Sequence, residues 1–230
     1  MMIVIALSQP VFYLILFGGA MGGMVEDVPL GENYMAYITP GIMAMTVMTS
    51  SMQVGIGIFL DRRTHMFEEL LTCPVKRELF FGAKVLFGIT LAILQVGAIL
   101  VISIPILGRE ILRFNVPLVI ASVLLGSVCF TSILLSLSSR ITSQDIFNSV
   151  YGLMMLPLIF CSSMFYDVGA MPVWMRYIAH VNPLTYIAQT MRAGVFGIWD
   201  GGVGQDLGIL AIIALCFFAL AALLFRRIRV

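Results

Sequence analysis

The sequence predicts an all-α membrane protein with six transmembrane helices, built as a single domain over residues 1–230. Three observations predict this class. Only 11% of the residues are charged and 60% are hydrophobic, whereas about a quarter of the residues in a soluble domain are charged. The apolar residues form runs of about 20, the length that a helix needs to cross a bilayer. These runs also lack the period-2 alternation of a transmembrane barrel.

Each run is expected to be helical because every backbone N–H and C=O inside lipid must be bonded within its own segment. The first run contains Pro10 and has no basic residues before it, which favours a retained span over a cleaved signal peptide. The six predicted spans are residues 3–24, 35–60, 85–107, 116–138, 146–166 and 207–225.

The basic residues predict the orientation of these spans. Most of the 13 Lys and Arg residues lie on one side, in the loops after spans two and four and in the C-terminal tail. Because basic loops stay in the cytoplasm, both termini of this multi-pass plasma-membrane protein are expected there. The net charge of +1 creates no strong field for polyanions, so no nucleic-acid partner is expected.

The sequence lacks the residues that catalysis, metal binding or proton-coupled transport would require within the spans. His65 and His180 both lie in connecting segments, so no nucleophile and base can be paired within the spans, and no catalytic residue is predicted. The His and carboxylate cluster of a metal site is also missing. No Asp, Glu, Lys or Arg lies in the centre of a span, which argues against proton coupling and less strongly against sodium coupling. A stand-alone secondary transporter remains the alternative to a pump.

A nucleotide site is not apparent either. The glycine-rich residues 18–23 are followed by Met24, where a phosphate-binding loop needs lysine. The chain is therefore expected to bind no cofactor, and any ATPase must be another polypeptide.

The segment between spans two and three is the densest charged stretch of the chain. Phe67, Leu70 and Leu71 follow helical spacing and predict one apolar stripe, and Pro74 ends the short helix. This amphipathic helix either rests on lipid headgroups or docks a protein partner through an apolar anchor ringed by charge. The pattern favours neither alternative.

A second unusual segment precedes span six. It predicts two short helices, over residues 171–179 and 182–192, at the outer membrane face. The pair either dips into the membrane and returns or forms an amphipathic surface hairpin. The hairpin residues singled out are Pro172, Trp174, Asn182, Pro183, Tyr186 and Arg192.

Three stretches in order, residues 9–18, 62–84 and 171–192, resemble the ABC-2 family of ATP-binding-cassette permeases. These are membrane subunits of drug, lipid and polysaccharide exporters, and include daunorubicin-resistance permeases. His65 and Met66 stand where the family usually has Gly and Thr. Family members also begin with a charged amphipathic helix, whereas no charge precedes Glu26 here. A truncated start or an atypical member is therefore expected.

The resemblance implies an exporter of a drug, lipid or glycan, without identifying which. Two copies, or this chain and a paralogous permease, would form the membrane domain within the lipid. A separate cassette ATPase, which carries ATP and Mg, would bind below it. The implied ATPase-coupling residues are Arg62, Arg63, Phe67, Glu68, Glu69, Leu70, Leu71 and Pro74.

The resemblance also implies that spans two and five line the translocation path. Polar residues share one face of span two, and methionines such as Met45 and Met48 share the opposite face. Ordinary helix packing with interhelical hydrogen bonds is the alternative for any one of them. The candidate path residues are Thr46, Thr49, Ser50, Gln53, Asn148 and Tyr151.

Overall fold

The computed structural model describes residues 8, 10–16, 34–63, 77–107, 114–141, 143–165 and 168–226. An all-α fold is confirmed for these residues, which include no strand. Residues 10–16 are helical, and a short 3-10 turn occupies Val168–Ala170. The longer helices are α1 (Tyr34–Arg63), α2 (Arg77–Leu107), α3 (Val116–Arg140), α4 (Gln144–Phe160), α5 (Val173–Val181), α6 (Pro183–Phe196) and α7 (Gly201–Arg226).

Four helices in the described part of the chain are long and apolar enough to cross a membrane. These stretches lie in α1, α2, α3 and α7 and coincide with the predicted spans two, three, four and six. Helices α2 and α7 begin several residues earlier than predicted, at Arg77 and Gly201. At α7 the reason is local, since Asp200 Oδ1 accepts the Val203 N–H at 3.0 Å and so caps the first turn. Of the predicted first span, only residues 8 and 10–16 are described.

The fifth predicted span differs from the structure. It was expected over residues 146–166, but α4 ends at Phe160 and residues 161–165 form a buried turn. The cause is Asn182, whose side-chain Nδ2 donates to the Leu158 carbonyl at 2.7 Å and the Cys161 carbonyl at 3.1 Å. These bonds satisfy carbonyl groups that a continuing helix would have used. At 17 residues, α4 is about 25 Å long, shorter than a bilayer core of about 30 Å.

Helices α1 and α3 form the centre of the bundle. Helix α1 packs on α2, α3 and α6, and α3 packs on α1, α2, α6 and α7. In the most apolar stretch of Ala36–Ile58 in α1, 72% of the residues are buried. In the corresponding stretch of Gly201–Leu224 in α7, only 17% of the residues are buried. Helix α6 lies inside the bundle, between α1, α3 and α7, and nearly all its residues are buried. Helix α5 lies outside, with Ala179 as its buried residue. The two short helices form as predicted but have opposite environments.

Hydrogen bonds hold both ends of α6 in place. Asn182 Oδ1 accepts the Leu184 N–H at 3.0 Å, which caps the N-terminus ahead of Pro183. Gly197 ends the helix with φ 65°, a left-handed conformation that glycine adopts without strain. The Gly194 carbonyl accepts the N–H of Asn115, which itself caps α3, at 2.7 Å. The C-terminal end of α6 is therefore tied to the beginning of α3.

Gly41 allows α1 to contact the buried turn that follows α4. A Cβ atom there would lie 2.4 Å from the carbonyl oxygen of Met164, which is backbone and cannot rotate away. We expect Gly41→Ala to lower the free energy of unfolding by about 1–3 kcal/mol, the usual cost of overpacking. Thermal unfolding of the detergent-purified protein measures this change.

Gly97→Ala is the matched control, since nothing lies within 4 Å of a Cβ at this α2 position. It should leave the melting temperature unchanged or raise it slightly, because alanine is the better helix former. Equal destabilisation by both substitutions would contradict the close contact at Gly41.

Candidate functional site

The predicted coupling helix lies outside the described residues. Residues 64–76, which include Phe67, Glu68, Glu69, Leu70, Leu71 and Pro74, are in this part of the chain. Arg62 and Arg63 end helix α1, and helix α2 resumes at Arg77. The structure thus describes the two helices that carry this segment.

An ion pair joins those helices close to the segment. Lys84 Nζ of α2 lies 2.5 Å from Asp61 Oδ2 of α1, and both side chains are about one-fifth exposed. Lys84 Nζ also lies 5.3 Å from the centre of the Phe80 ring, a favourable cation–π contact. The pair joins the last turn of α1 to a point in α2 seven residues after that helix begins.

A hydrophobic cluster supports the same end of the bundle. Ile58 of α1, Phe81 of α2, Leu135 of α3 and Ala221 of α7 are buried together. The Phe81 ring also contacts Phe218 of α7, with ring centres 5.3 Å apart. Four helices therefore meet where the charged segment joins the bundle.

The candidate path residues of α1 face protein rather than open space. Thr46 and Ser50 are fully buried, and their hydroxyls donate to the Ile42 and Val47 carbonyls, both at 2.8 Å. Thr49 donates to the Thr46 carbonyl at 3.1 Å. These hydroxyls are satisfied within their own helix, so they can lie between packed helices without a ligand or water.

The remaining α1 residues follow the same arrangement. Gln53 is half-buried, and Met45 and Met48 on the opposite face are buried as well. A bond that the pattern did not indicate joins two helices directly, from Thr131 Oγ1 to Ser51 Oγ at 3.2 Å. The methionine face is therefore at least as buried as the polar face, where Thr49 and Gln53 are half-buried.

The two candidate residues on α4 are separated from those on α1. Asn148 is exposed, whereas Tyr151 is buried with Phe147 and Leu134. Tyr151 and Met48 both line an inner cavity of about 530 Å³, which is the feature that brings α1 and α4 to a common space. The structure does not bring Asn148 to the α1 hydroxyls.

The hairpin residue Arg192 belongs to a polar network around the buried turn 161–165. Arg192 Nη2 donates to the Ser163 carbonyl at 2.8 Å, and the guanidinium stacks 4.0 Å from the Tyr37 ring centre. Ser163 Oγ donates to the Thr185 carbonyl at 3.1 Å. Tyr37, Ser163 and Thr185 were not predicted. In the sequence, Arg192 was the one residue that could have indicated this network, because an arginine between apolar segments requires polar partners.

The other hairpin residues lie at the two ends of α5. Pro172 precedes α5, and Trp174 is 64% exposed in its first turn. At the far end the Tyr186 hydroxyl donates to the His180 carbonyl at 2.6 Å. Asn182 and Pro183 form the junction with α6, so five of the six hairpin residues surround one short helix.

The sequence comparisons identify the family. A family model described as the ABC-2 type transporter matches residues 1–196. The chain belongs to this family. As an ABC-2 protein it is a transport permease, a multi-pass membrane subunit of an ATP-binding-cassette transporter. The predicted family is confirmed.

Three relatives illustrate the range of ABC-2 permeases that it resembles. It is 28% identical to the inner membrane transport permease YadH of Escherichia coli, over 94% of this chain and 83% of YadH. It is 29% identical to ycf38 of Porphyra purpurea, named as a transport permease, over 80% of this chain and 64% of ycf38. It is 24% identical to the daunorubicin resistance ABC transporter permease protein DrrB1 of Streptomyces coeruleorubidus, over 95% of this chain and 77% of DrrB1.

The described residues offer apolar surfaces, cavities and one ion pair rather than reactive groups. Within the described ranges, no three His, Cys, Asp or Glu side chains are placed to hold a metal ion. The apolar spaces have the size and lining of sites for apolar groups. This capacity suits the family's role as a permease.

Proposed function

We propose that this ABC-2 permease is the membrane half of an ATP-driven exporter in the plasma membrane. It moves a hydrophobic or amphipathic substrate, such as a drug, lipid or glycan, out of the cytoplasm. The observation that carries this proposal is the family match over residues 1–196. The chain supplies the path, and ATP and Mg are bound by a separate cassette ATPase.

In this proposal the ATPase binds the segment between α1 and α2. Phe67, Leu70 and Leu71 anchor it in an apolar groove, and the neighbouring charges form the rim. The Asp61–Lys84 ion pair supports this role because it joins the two helices that bear the segment. A push on the segment then moves α1 and α2 together rather than bending a loop.

The proposed assembly contains two permease copies and two ATPase copies. Each permease crosses the membrane six times with both termini in the cytoplasm. Helix α1 is span two, α4 and the buried turn 161–165 together make span five, and the α5–α6 pair lies towards the outer face. Helix α4 supports a position beside the path, because its first two turns expose the polar Asn148 and Ser149 next to Asp145. A polar side chain facing lipid is unfavourable, so it should face a partner copy or the substrate.

Co-purification and energised transport test this function. When the permease is expressed with the ATPase encoded beside it, we expect a stable complex whose ATP hydrolysis drives substrate accumulation in inverted vesicles. The permease alone should hydrolyse no ATP. Accumulation that follows an imposed proton or sodium gradient without ATP would instead establish a secondary transporter.

A further inference from the structure

A glutamine is buried in the middle of helix α2. Gln95 is 1% exposed, and neither the oxygen nor the nitrogen of its side-chain amide has a hydrogen-bond partner in the part of the chain that the structure describes. A side-chain amide can donate two hydrogen bonds and accept two. Because a buried polar group without a partner destabilises a fold, such groups are rarely left unpaired. The Gln95 amide therefore indicates a bound partner at this point of the bundle.

Helix geometry shows where Gln95 points. Gly88 of α2 faces the seam between α1 and α3, because a Cβ atom there would lie 2.7 Å from Thr131 Oγ1 and 3.2 Å from Val54 Cγ2. Gln95 follows Gly88 by seven residues, which turn an α-helix by about 700°, roughly 20° short of two full turns. Gln95 therefore points into the same seam, about 10 Å further along α2.

The antiparallel course of α2 and α3 shows what lies opposite this glutamine. Gly88 contacts Thr131, and eight residues further along α2, Val96 lines a small surface pocket together with Val123 of α3. Positions further along α2 thus meet earlier positions of α3. The glutamine lies opposite the turn of α3 that ends at Ser127.

Ser127 is fully buried, and its hydroxyl likewise has no hydrogen-bond partner within the described ranges. It lies one turn before Thr131, about 40° away around α3. Thr131 bonds Ser51 of α1 across the seam at 3.2 Å, so Ser127 is on the side of α3 that faces α1. Helix α1 closes the seam at this level with Val47, whose Cγ1 would lie 3.1 Å from a Cβ atom on Gly126 of α3.

We propose that Gln95 and Ser127 bind a buried water molecule between α1, α2 and α3. A buried water typically makes about three hydrogen bonds to polar groups that are otherwise unpaired. The site offers three such atoms, Gln95 Oε1, Gln95 Nε2 and Ser127 Oγ. Two small side chains leave room for it, since the fully buried Ala92 of α2 lies at the level of Ser127.

A water fits this site better than a metal ion. Cations such as Ca²⁺ and Mg²⁺ take about six oxygen ligands, which two neutral side chains cannot supply. The site is also separate from the inner cavity, because neither Gln95 nor Ser127 lines that space. A bridging water can reorient and exchange its hydrogen bonds, so the seam would remain hydrogen-bonded if α2 and α3 shifted against each other.

Solid-state NMR of the full chain in lipid vesicles tests the water directly. The glutamine side chains carry ¹⁵N, and magnetisation is transferred from water protons to their amide groups. The Gln95 signal is identified by its loss in Gln95→Met. We expect the Gln95 amide to receive water magnetisation although it is 1% exposed, as the amide of the exposed Gln205 does. A Gln95 signal that receives none would overturn the proposal.

The stability of Gln95→Met gives an independent measurement. Methionine nearly matches glutamine in size but offers the water no strong hydrogen-bonding group. The melting temperature should fall by about 2–4 °C, the change expected from one lost hydrogen bond in a chain of this size. Ser127→Ala should also lower it. Because both substitutions remove the same water, the double variant should fall little further than the more affected single variant.

Ser122→Ala is the matched control for Ser127→Ala. Ser122 is also buried in α3, but its hydroxyl donates to the Leu118 carbonyl of its own helix at 2.8 Å. Its effect should therefore add in full to that of Gln95→Met. Gln95→Leu replaces Gln95→Met in both experiments if the methionine variant misfolds.

Three further outcomes count against the water. A higher melting temperature for Gln95→Met would show an amide that is buried dry, and additive effects of Gln95→Met and Ser127→Ala would show that the two side chains share nothing. Coupled effects without water transfer to Gln95 would show a direct hydrogen bond between them. Because these assays contain neither ATP nor ATPase, their outcome is independent of the proposed export function.

Discussion

Replacing Phe67 and Leu70 together by aspartate is expected to release the cassette ATPase from the permease. Each residue is proposed to fill an apolar groove on the ATPase, and an aspartate there would lose its hydration without gaining a partner. Central anchors of this kind each contribute about 2 kcal/mol or more to binding. The double substitution should therefore weaken the complex by roughly a thousandfold or more.

The measurement is co-purification of the ATPase, with membrane insertion of the permease followed in parallel. The matched control is Glu68→Gln with Glu69→Gln, which alters the rim of the same helix. Rim charges contribute little in water, so this pair should retain the complex and mainly change its salt dependence. A retained ATPase and intact transport in the aspartate variant would show that the assignment of this segment as the ATPase-coupling helix is wrong.

Replacing Arg192 by alanine is expected to loosen the turn 161–165. The substitution removes a charged hydrogen bond to the Ser163 carbonyl and a stacking contact with Tyr37. Such interactions contribute about 1.5–3 and 0.5–2 kcal/mol respectively, so the melting temperature of the purified protein should fall clearly. Arg192→Lys retains the positive charge but lacks the planar guanidinium group. Its melting temperature should therefore lie between those of the alanine variant and the wild type.

Arg176→Ala is the appropriate comparison for Arg192→Ala. Arg176 also donates to backbone carbonyls, those of Gly169 at 2.9 Å and Met171 at 3.3 Å, but its side chain is exposed. Water can replace those bonds, so the loss should stay below about 1 kcal/mol. If both alanine variants unfold at the same temperature, the network around Ser163 does not stabilise the bundle.

The positions of the helices were predicted correctly from the sequence wherever a helix coincides with one long apolar run. Spans two, three, four and six each lie in a long helix, because about 20 apolar residues leave the chain no other way to satisfy its backbone in lipid. The end of α4 could not be predicted in this way. It depends on Asn182, which reaches back 21 residues to the Cys161 carbonyl.

The environment of a helix was harder to predict than its existence. Residues 182–192 were predicted to form a short helix at the outer membrane face, yet nearly all residues of α6 are buried, including Thr185 and Thr190. Thr190 can be buried because its hydroxyl donates to the Tyr186 carbonyl at 2.7 Å. A polar residue that satisfies itself locally carries no signal of exposure, and the same reasoning explains why Thr46 and Ser50 are buried inside the bundle.

Those self-satisfied hydroxyls bear on how easily the helices can move. Thr46, Ser50, Ser122 and Ser138 all donate to carbonyls of their own helix. Sliding α1 along α3 would leave each of these bonds intact and would break the Ser51–Thr131 bond between the helices. Movement of α1 along α3 would therefore cost few hydrogen bonds, because the polar side chains between the two helices mostly bond within their own helix. Breaking the bond between Ser51 and Thr131 costs only about 1 kcal/mol, which suits a transporter whose helices must shift in every cycle.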